Sequence, residues 1–361
     1  MKASFVRLVL AAGLAALALL AGLSGGAQAA QATARTASSP VIFTLKCIGN
    51  SFCLGAGSYA KGKQFIPLNE EWTGKAWRII PIPSGYQDDI SCGGPTFCLA
   101  SVAIPKRATR EVVWNGRAWR RLSPQPPAFD IQCVSPAFCV TGASPGGQEG
   151  AYWNGKIWQR MPSAGGCEDA DCRYDGVGCA SATICWESGS YCTSSDCNDG
   201  IVYYSDTWNG TTWSRNSGVS LGRDACAGRA FCLSLHPTSA LVTHDWGVTW
   251  QDATANLAAA CHHLASCDSA GLATSCGSSR FCVALTSPDP SAALVWNGSK
   301  WGVLKLALVS GHLPKLDNLS CGGQRNCMAT GTYQLNPRGA AHPVVEHWNG
   351  KTWKVTPIAK P

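Results

Sequence analysis

Two short stretches concentrate the side chains best suited to chemistry. Glu168, Asp169, Asp171 and Asp175 gather around Cys167 and Cys172, and Asp196 and Asp199 gather around Cys192 and Cys197. Carboxylate oxygens crowded on stiffened loops are hard ligands, and Asp169, Asp171 and Asp199 are the candidate calcium set, although the spacing matches no EF-hand. Paired carboxylates can instead cleave a glycosidic bond. Asp171 and Asp199 would serve if folding held them about 5–10 Å apart in a pocket. A third candidate is His262-His263, between Cys261 and Cys267, which suits a transition metal if further ligands converge on it. Against all three stands the plainer reading of charged side chains solvated on loops. The same two readings apply to a basic counterpart, Lys61, Lys63, Lys106, Arg107 and Arg110: one pole of a polarised ligand face, or solvated loop charge.

These stretches can act together only if a rigid frame brings them to one side. The frame is legible as a repeat. Two cysteines with five residues between them occur seven times: Cys47/Cys53, Cys92/Cys98, Cys133/Cys139, Cys179/Cys185, Cys226/Cys232, Cys276/Cys282 and Cys321/Cys327. Successive first cysteines are 45, 41, 46, 47, 50 and 45 residues apart. Each pair is followed by a tryptophan turn of the type Trp114-Asn-Gly-Arg-Ala-Trp119, with Thr243-His-Asp-Trp-Gly-Val-Thr-Trp250 in the fifth unit. Each unit divides into four strands; in the second these are 89–92, 97–103, 111–114 and 118–122. Asn115-Gly116 predicts a two-residue hairpin loop with both residues at positive φ. Trp114 would then face Arg117, and the two tryptophans would be diagonal neighbours. A tryptophan pair can stack on a sugar, but recurrence in every unit assigns it to packing between units, since every unit needs a core.

The cysteine pairs bracket the turn between the first two strands, where facing residues stand close enough for a disulfide. Zinc pairs usually have two to four residues between them and need thiolates kept reduced, so disulfides are expected. Four strands repeated seven times at this period predict an all-β fold: a seven-bladed β-propeller with four antiparallel strands per blade. The predicted blades span 41–83, 86–126, 128–163, 174–219, 220–254, 270–310 and 314–358, within a propeller of 41–361. The ring is expected to close without an exchanged strand. In such a ring, ligands usually bind on the face formed by the loops between second and third strands and by the connections between blades. The acidic stretches and His262-His263 fall on that rim, at blades 4–6, as do the six remaining cysteines. Cys167, Cys172, Cys192, Cys197, Cys261 and Cys267 admit several pairings that spacing does not resolve. The Ala-rich segment 253–265 predicts one short helical turn.

Thr243, Asp245, Gly247, Thr249 and Trp250 resemble the Asp-box of sialidase-like (bacterial-neuraminidase-repeat) propellers, whose pattern is Ser/Thr-x-Asp-x-Gly-x-Thr-Trp. The Trp-Asn-Gly turns align with it, and the whole chain is similar to Cys-rich exported actinobacterial repeat proteins of that kind. The resemblance implies a propeller in which the Asp-box caps the turn between third and fourth strands, away from any active site. Sialidase chemistry needs three arginines on the substrate carboxylate, and the Arg-Ile-Pro motif that introduces them is missing from the first blade. Trp77-Arg78-Ile79-Ile80-Pro81 is only superficially similar, and no motif brings Arg160, Arg173, Arg215 and Arg223 together. Sialidase activity is therefore not expected.

Lys2 and Arg7, the apolar run 8–20 and Ala27-Gln28-Ala29 read as a signal peptide over 1–30, followed by a linker over 31–40. The predicted location is secreted and extracellular, with no membrane span in the mature chain. Twenty cysteines, an even count, agree with an oxidising compartment. Only 14% of residues are charged, against 39 glycines and 20 prolines, a composition that leaves little room for long helices. Loss of Lys2 and Arg7 leaves 27 cations against 22 acids, too mild an excess for a nucleic-acid partner. The leading expectation is a non-catalytic monomeric binding or scaffold propeller. Its ligand would be a glycan or an extracellular protein at the rim of blades 4–6, with no cofactor unless calcium. The alternatives are a glycoside hydrolase or lyase of sialidase-like architecture, and a structural surface protein.

Overall fold

The computed structural model describes residues 40–82, 85–103, 110–123, 131–142, 150–161, 172–192, 201–217, 223–227, 230–235, 238–245, 249–262, 273–286, 292–336 and 340–359. The predicted signal segment and residues 31–39 of the linker lie outside these.

Seven sheets of four sequence-consecutive antiparallel strands account for the repeat. Blade 1 is β1 (Val41–Ile48), β2 (Phe52–Lys61), β3 (Gln64–Trp72) and β4 (Trp77–Ile79). Blade 2 is β5 (Tyr86–Gly94), β6 (Phe97–Ala103), β7 (Arg110–Trp114) and β8 (Trp119–Arg121). Blade 3 is β9 (Ile131–Ser135), β10 (Phe138–Thr141), β11 (Ala151–Trp153) and β12 (Trp158–Arg160). Blade 4 is β13 (Cys172–Ser181), β14 (Ile184–Cys192), β15 (Ile201–Trp208) and β16 (Trp213–Ser217). Blade 5 is β17 (Arg223–Ala227), β18 (Phe231–Leu235), β19 (Ala240–Thr243) and β20 (Gln251–Asp252). Blade 6 is β21 (Thr274–Ser278), β22 (Phe281–Leu285), β23 (Ala292–Trp296) and β24 (Trp301–Lys305). Blade 7 is β25 (Lys315–Gly323), β26 (Asn326–Gln334), β27 (Ala341–Trp348) and β28 (Trp353–Thr356). First strands meet first strands of neighbouring blades at every junction but that of blades 4 and 5 among the described residues, and β1 packs on β25 and β26, so the ring closes with no exchanged strand. The predicted helical turn is α1 (Leu257–His262), anchored by buried Leu257 and Ala260.

All seven recurring cysteine pairs are disulfides: Cys47–Cys53, Cys92–Cys98, Cys133–Cys139, Cys179–Cys185, Cys226–Cys232, Cys276–Cys282 and Cys321–Cys327. Each joins residues directly opposite one another on the first two strands, as in the Cys92↔Cys98 register. A loop this short adds only about 2 kcal/mol per bridge by chain entropy. Non-reducing peptide mapping is expected to return Cys92 with Cys98 and Cys226 with Cys232; a peptide linking two blades through these residues would contradict the fold.

The tryptophan turns differ from the two-residue hairpin expected. Trp114 pairs directly with Trp119, not with Arg117, across a four-residue loop. Gly116 has φ 87°, whereas Asn115 is not among the positive-φ residues. Asparagine serves as a cap instead of a second left-handed residue: Asn115 Oδ1 accepts the Arg117 and Ala118 N–H groups, both at 3.0 Å. The Asn154, Asn209, Asn297 and Asn349 turns repeat this pair of bonds. In blade 5 Asp245 takes the same role. Its Oδ1 accepts the Thr249 N–H at 2.8 Å and the Thr243 hydroxyl at 2.7 Å, and its Oδ2 accepts the Thr249 hydroxyl at 2.5 Å. These bonds hold its carboxyl down at about 2. Gly247 of this turn lies outside the described residues.

Direct pairing puts the two tryptophans of a turn 5.7 Å apart in blade 2, with similar geometry in five further blades. Trp114 is wholly buried and Trp119 nearly so, which makes the pair core and not a sugar platform. The first indole also ties the turn to the rest of its blade. Trp114 Nε1–H donates to the Pro95 carbonyl at 3.1 Å, and Trp348 Nε1–H to that of Gln324 at 3.0 Å.

Candidate ligand-binding rim

The disulfide turns and tryptophan turns share one face, so strand length beyond the second cysteine sets how far each blade rises on the other. Every second strand begins one residue before that cysteine, which makes the lengths directly comparable. They are 10, 7, 4, 9, 5, 5 and 9 residues in blades 1 to 7. Blade 4 thus outreaches blade 3 by five residues, about 17 Å at 3.3–3.4 Å per residue. Among the described residues the second strands are longest in two sectors, blades 7–1–2 and blade 4, with shorter ones in blade 3 and in blades 5–6.

The tall blades share a bulge on their innermost strand, four residues before the first cysteine. It leaves Phe43, Asp88, Asp175 and Asp317 out of register in blades 1, 2, 4 and 7. Bulges add twist and bend a strand, which suits long strands crowded at an axis. In blades 1 and 7 a glycine opposite the bulge makes room: a Cβ on Gly57 would overlap the Val41 carbonyl oxygen, and one on Gly331 that of Lys315.

Of the predicted site residues, Glu168, Asp169, Asp171, Asp196, Asp199 and His263 lie outside the described residues. Asp175 is in strand β13, at the bulge between Tyr174 and Gly176. The stretches expected as loops, 166–177 and 187–200, are therefore partly strand, because blade 4 continues its ladder to the Cys172↔Tyr191 pair. His262 is the exposed last residue of α1, and Cys261 beside it is disulfide-bonded. Among the described residues no three His, Cys, Asp or Glu side chains converge as metal ligands. Arg160 and Arg215 lie on outermost strands, whereas Arg173 and Arg223 lie on innermost strands. Lys61 and Lys63 are exposed at the β2–β3 hairpin, and Arg110 opens β7; Lys106 and Arg107 lie outside the described residues.

Among the described residues the most perturbed carboxyls are elsewhere, and no sequence motif singled them out. Glu70 on β3, Glu111 on β7 and Glu346 on β27 are 0%, 4% and 0% exposed. Burial raises each from 4.5 to about 7. The Ser101 hydroxyl bonded to Glu111 opposes the rise there, while nearby Asp89 adds to it. Glu346 Oε2 accepts the Ala307 N–H at 3.0 Å, in the segment leaving blade 6. The Ala359 backbone, in the segment leaving blade 7, opposes the rise at Glu70, but without the close hydrogen-bond geometry of the Glu346 contact. Each acid stands two residues before a tryptophan, Trp72 or Trp348, and each amide six residues past one, Trp353 or Trp301. Glu346 on blade 7 thus holds the exit of blade 6, and Glu70 on blade 1 faces the equivalent exit of blade 7. Blade 1 is followed instead by Pro83, which has no N–H to donate, and the receiving position on blade 2 is Val112. Lys46, enclosed by protein near the axis, has its ammonium pushed down by burial, an effect Asp89 partly offsets. All three glutamates are buried, and Glu346 commits one carboxylate oxygen to the backbone of the preceding blade.

No family model and no curated protein matches the chain. Among solved structures it is similar to a prolyl endopeptidase, at 12% identity and a TM-score of 0.58 over 90% of this chain and 48% of that one. It is also similar to the acylaminoacyl peptidase of Pyrococcus horikoshii, at 7% identity and a TM-score of 0.53 over 91% of this chain and 53% of that one. The chain spans about half the length of these two peptidases. YCF48 of Cyanidioschyzon merolae aligns at 12% identity and a TM-score of 0.47 over 81% of this chain and 93% of that one. The likeness to the two peptidases is one of fold, and together with seven four-stranded sheets closed in a ring it makes this chain a seven-bladed β-propeller.

Proposed function

We propose that the chain is a non-catalytic extracellular binding propeller that holds a glycan or protein ligand at the rim of blade 4. The observation that carries this reading is the height of blade 4. Its inner three strands of 10, 9 and 8 residues stand between blades whose corresponding strands have at most 5. The acid-rich stretches 162–171 and 193–200 depart from the ends of those strands, at Cys172 and Cys192. A ligand leaning on such a wall meets Asp169, Asp171, Asp196 and Asp199 on bridged loops, where a disulfide lowers the ordering cost of binding. Calcium shared by Asp169, Asp171 and Asp199 would fix those loops further. A glycan array probed with the purified mature protein, with and without calcium, tests the reading. The expected result is a restricted set of bound glycans, weakened about tenfold or more, or 1.4 kcal/mol, in an Asp169→Asn, Asp171→Asn, Asp199→Asn variant. No bound glycan, or equal binding by the variant, would remove glycans and this rim from the reading.

A further inference from the structure

The connection from blade 6 to blade 7 contains a small hairpin outside the repeat. Val309 N–H donates to the His312 carbonyl at 2.8 Å, and His312 N–H to that of Val309 at 2.9 Å. Ser310 and Gly311 between them have φ of 52° and 83°, the left-handed pair that a two-residue hairpin loop requires. Alternation along the hairpin then splits its side chains. Val309 packs down on the core of blade 7, while Leu308 and Leu313 stand on the opposite side, 60% and 39% exposed. Nothing in the repeat calls for this element. It is a rigid device that turns two leucines outward.

The leucines have company on the same face. Leu335 near the β26–β27 turn, Phe65 at the β2–β3 hairpin and Phe43 on the β1 bulge are 49%, 61% and 52% exposed. Five of the nine exposed large apolar residues among those described thus fall in the raised sector of blades 7 and 1. They sit on separate elements, the 309–312 hairpin, the β26–β27 turn, the β2–β3 hairpin and the β1 bulge, whereas a stable protein interface has a continuous apolar core inside a polar rim. Lys61 and Lys63 precede Phe65 at its hairpin, and Lys315 follows Leu313. The acid among the described residues of these tips is Asp317, 3.7 Å from Lys315. Separate apolar tips flanked by ammonium groups match a bilayer interface, which needs no shape complementarity and offers anionic headgroups above acyl chains.

We propose that the blade 7–1 rim docks peripherally on an anionic lipid bilayer, with Leu308, Leu313 and Phe65 entering the interface and the lysines facing headgroup phosphates. The site is separate from the blade 4 rim and independent of any ligand there. The test is sedimentation of the mature protein with large vesicles of phosphatidylcholine alone or containing about a third phosphatidylglycerol. Binding to the anionic vesicles at least about tenfold stronger than to the neutral ones is expected, as is its loss at high salt. A Leu308→Ser, Leu313→Ser variant and a Lys61→Glu, Lys63→Glu variant, each with wild-type melting behaviour, should each lose most of that binding. A Phe65→Ser variant with the same melting behaviour provides a further check on the insertion. No sedimentation with either vesicle, or undiminished sedimentation of all three variants, overturns the proposal. So does a wild-type dimer in solution that ignores vesicles and dissociates in the leucine variant, which would make this face a contact between copies of the chain.

Discussion

Replacing Glu70, Glu111 and Glu346 together with glutamine should raise the melting temperature by about 10 °C near pH 8.5 and leave it nearly unchanged near pH 5. Each carboxyl rises from 4.5 to about 7 because it is buried. It therefore binds its proton more tightly in the folded ring than in the unfolded chain. The stability this supplies is full below about pH 4.5 and is lost as the pH rises through about 7. At 1.36 kcal/mol per unit, reduced for solvent screening, the ionised groups cost about 2 kcal/mol each. Glutamine removes that cost and still offers an oxygen to the Ala307 amide. Two groups run the other way. Burial lowers His347 and Lys46, so each contributes stability that falls as the pH drops. The comparison of variant with parent isolates the glutamates from both. Thermal melts of the two proteins across pH 5 to 8.5 decide the matter, and parallel curves would show that the three carboxyls do not ionise as their burial implies.

Asn326→Ala should destabilise the ring by about 3 kcal/mol, because it leaves the buried Phe52 carbonyl and the Gly49 carbonyl without this donor at the seam where the last blade meets the first. The residue before the second cysteine is Phe52, Phe97, Phe138, Ile184, Phe231 and Phe281 in blades 1 to 6. In blade 7 it is Asn326, wholly buried. Its Nδ2 donates to the Gly49 carbonyl at 3.1 Å and to that of Phe52 at 3.4 Å, both in blade 1. Its Oδ1 is then the acceptor facing His347 Nε2 at 3.2 Å, so that nitrogen carries the proton. His347 in turn lies 5.0 Å from the Trp72 ring of blade 1. Phe281 instead stacks on Trp348 of the next blade at 5.9 Å, an apolar contact across an ordinary junction. The closing seam thus substitutes hydrogen bonds for ring stacking, while keeping the serine-to-backbone link of other junctions: Cys47 N–H to Ser320 Oγ at 2.9 Å, as Cys133 N–H to Ser91 Oγ at 2.8 Å. Denaturant titration of Asn326→Ala beside Ser91→Ala checks the ranking. A smaller loss for Asn326→Ala than for Ser91→Ala would mean that the seam is no more than another junction.

The blade count, the four strands in each, the seven disulfides and the tryptophan turns were all legible in the sequence. They rest on local contacts, between residues a few positions apart whose types recur in every unit. Cysteines six positions apart can meet only across a tight turn, and an asparagine-glycine pair between tryptophans marks a reversal of the chain. Even there the local rule misled on register. Asparagine satisfied two backbone donors as a cap, which brought Trp114 opposite Trp119 in place of Arg117. What tertiary structure alone decided depends on residues far apart in the chain. Glu70 reads as one more charge beside Glu71 until Ala359, nearly three hundred positions away, is brought against it. Phe43 and Asp317 become bulge residues only because tall blades crowd a common axis. The outward turn of Leu308 and Leu313 follows from Val309 finding the core of blade 7. Composition and spacing record which residues recur, but burial, register and height above the ring are set by neighbouring blades, and no single unit carries that information.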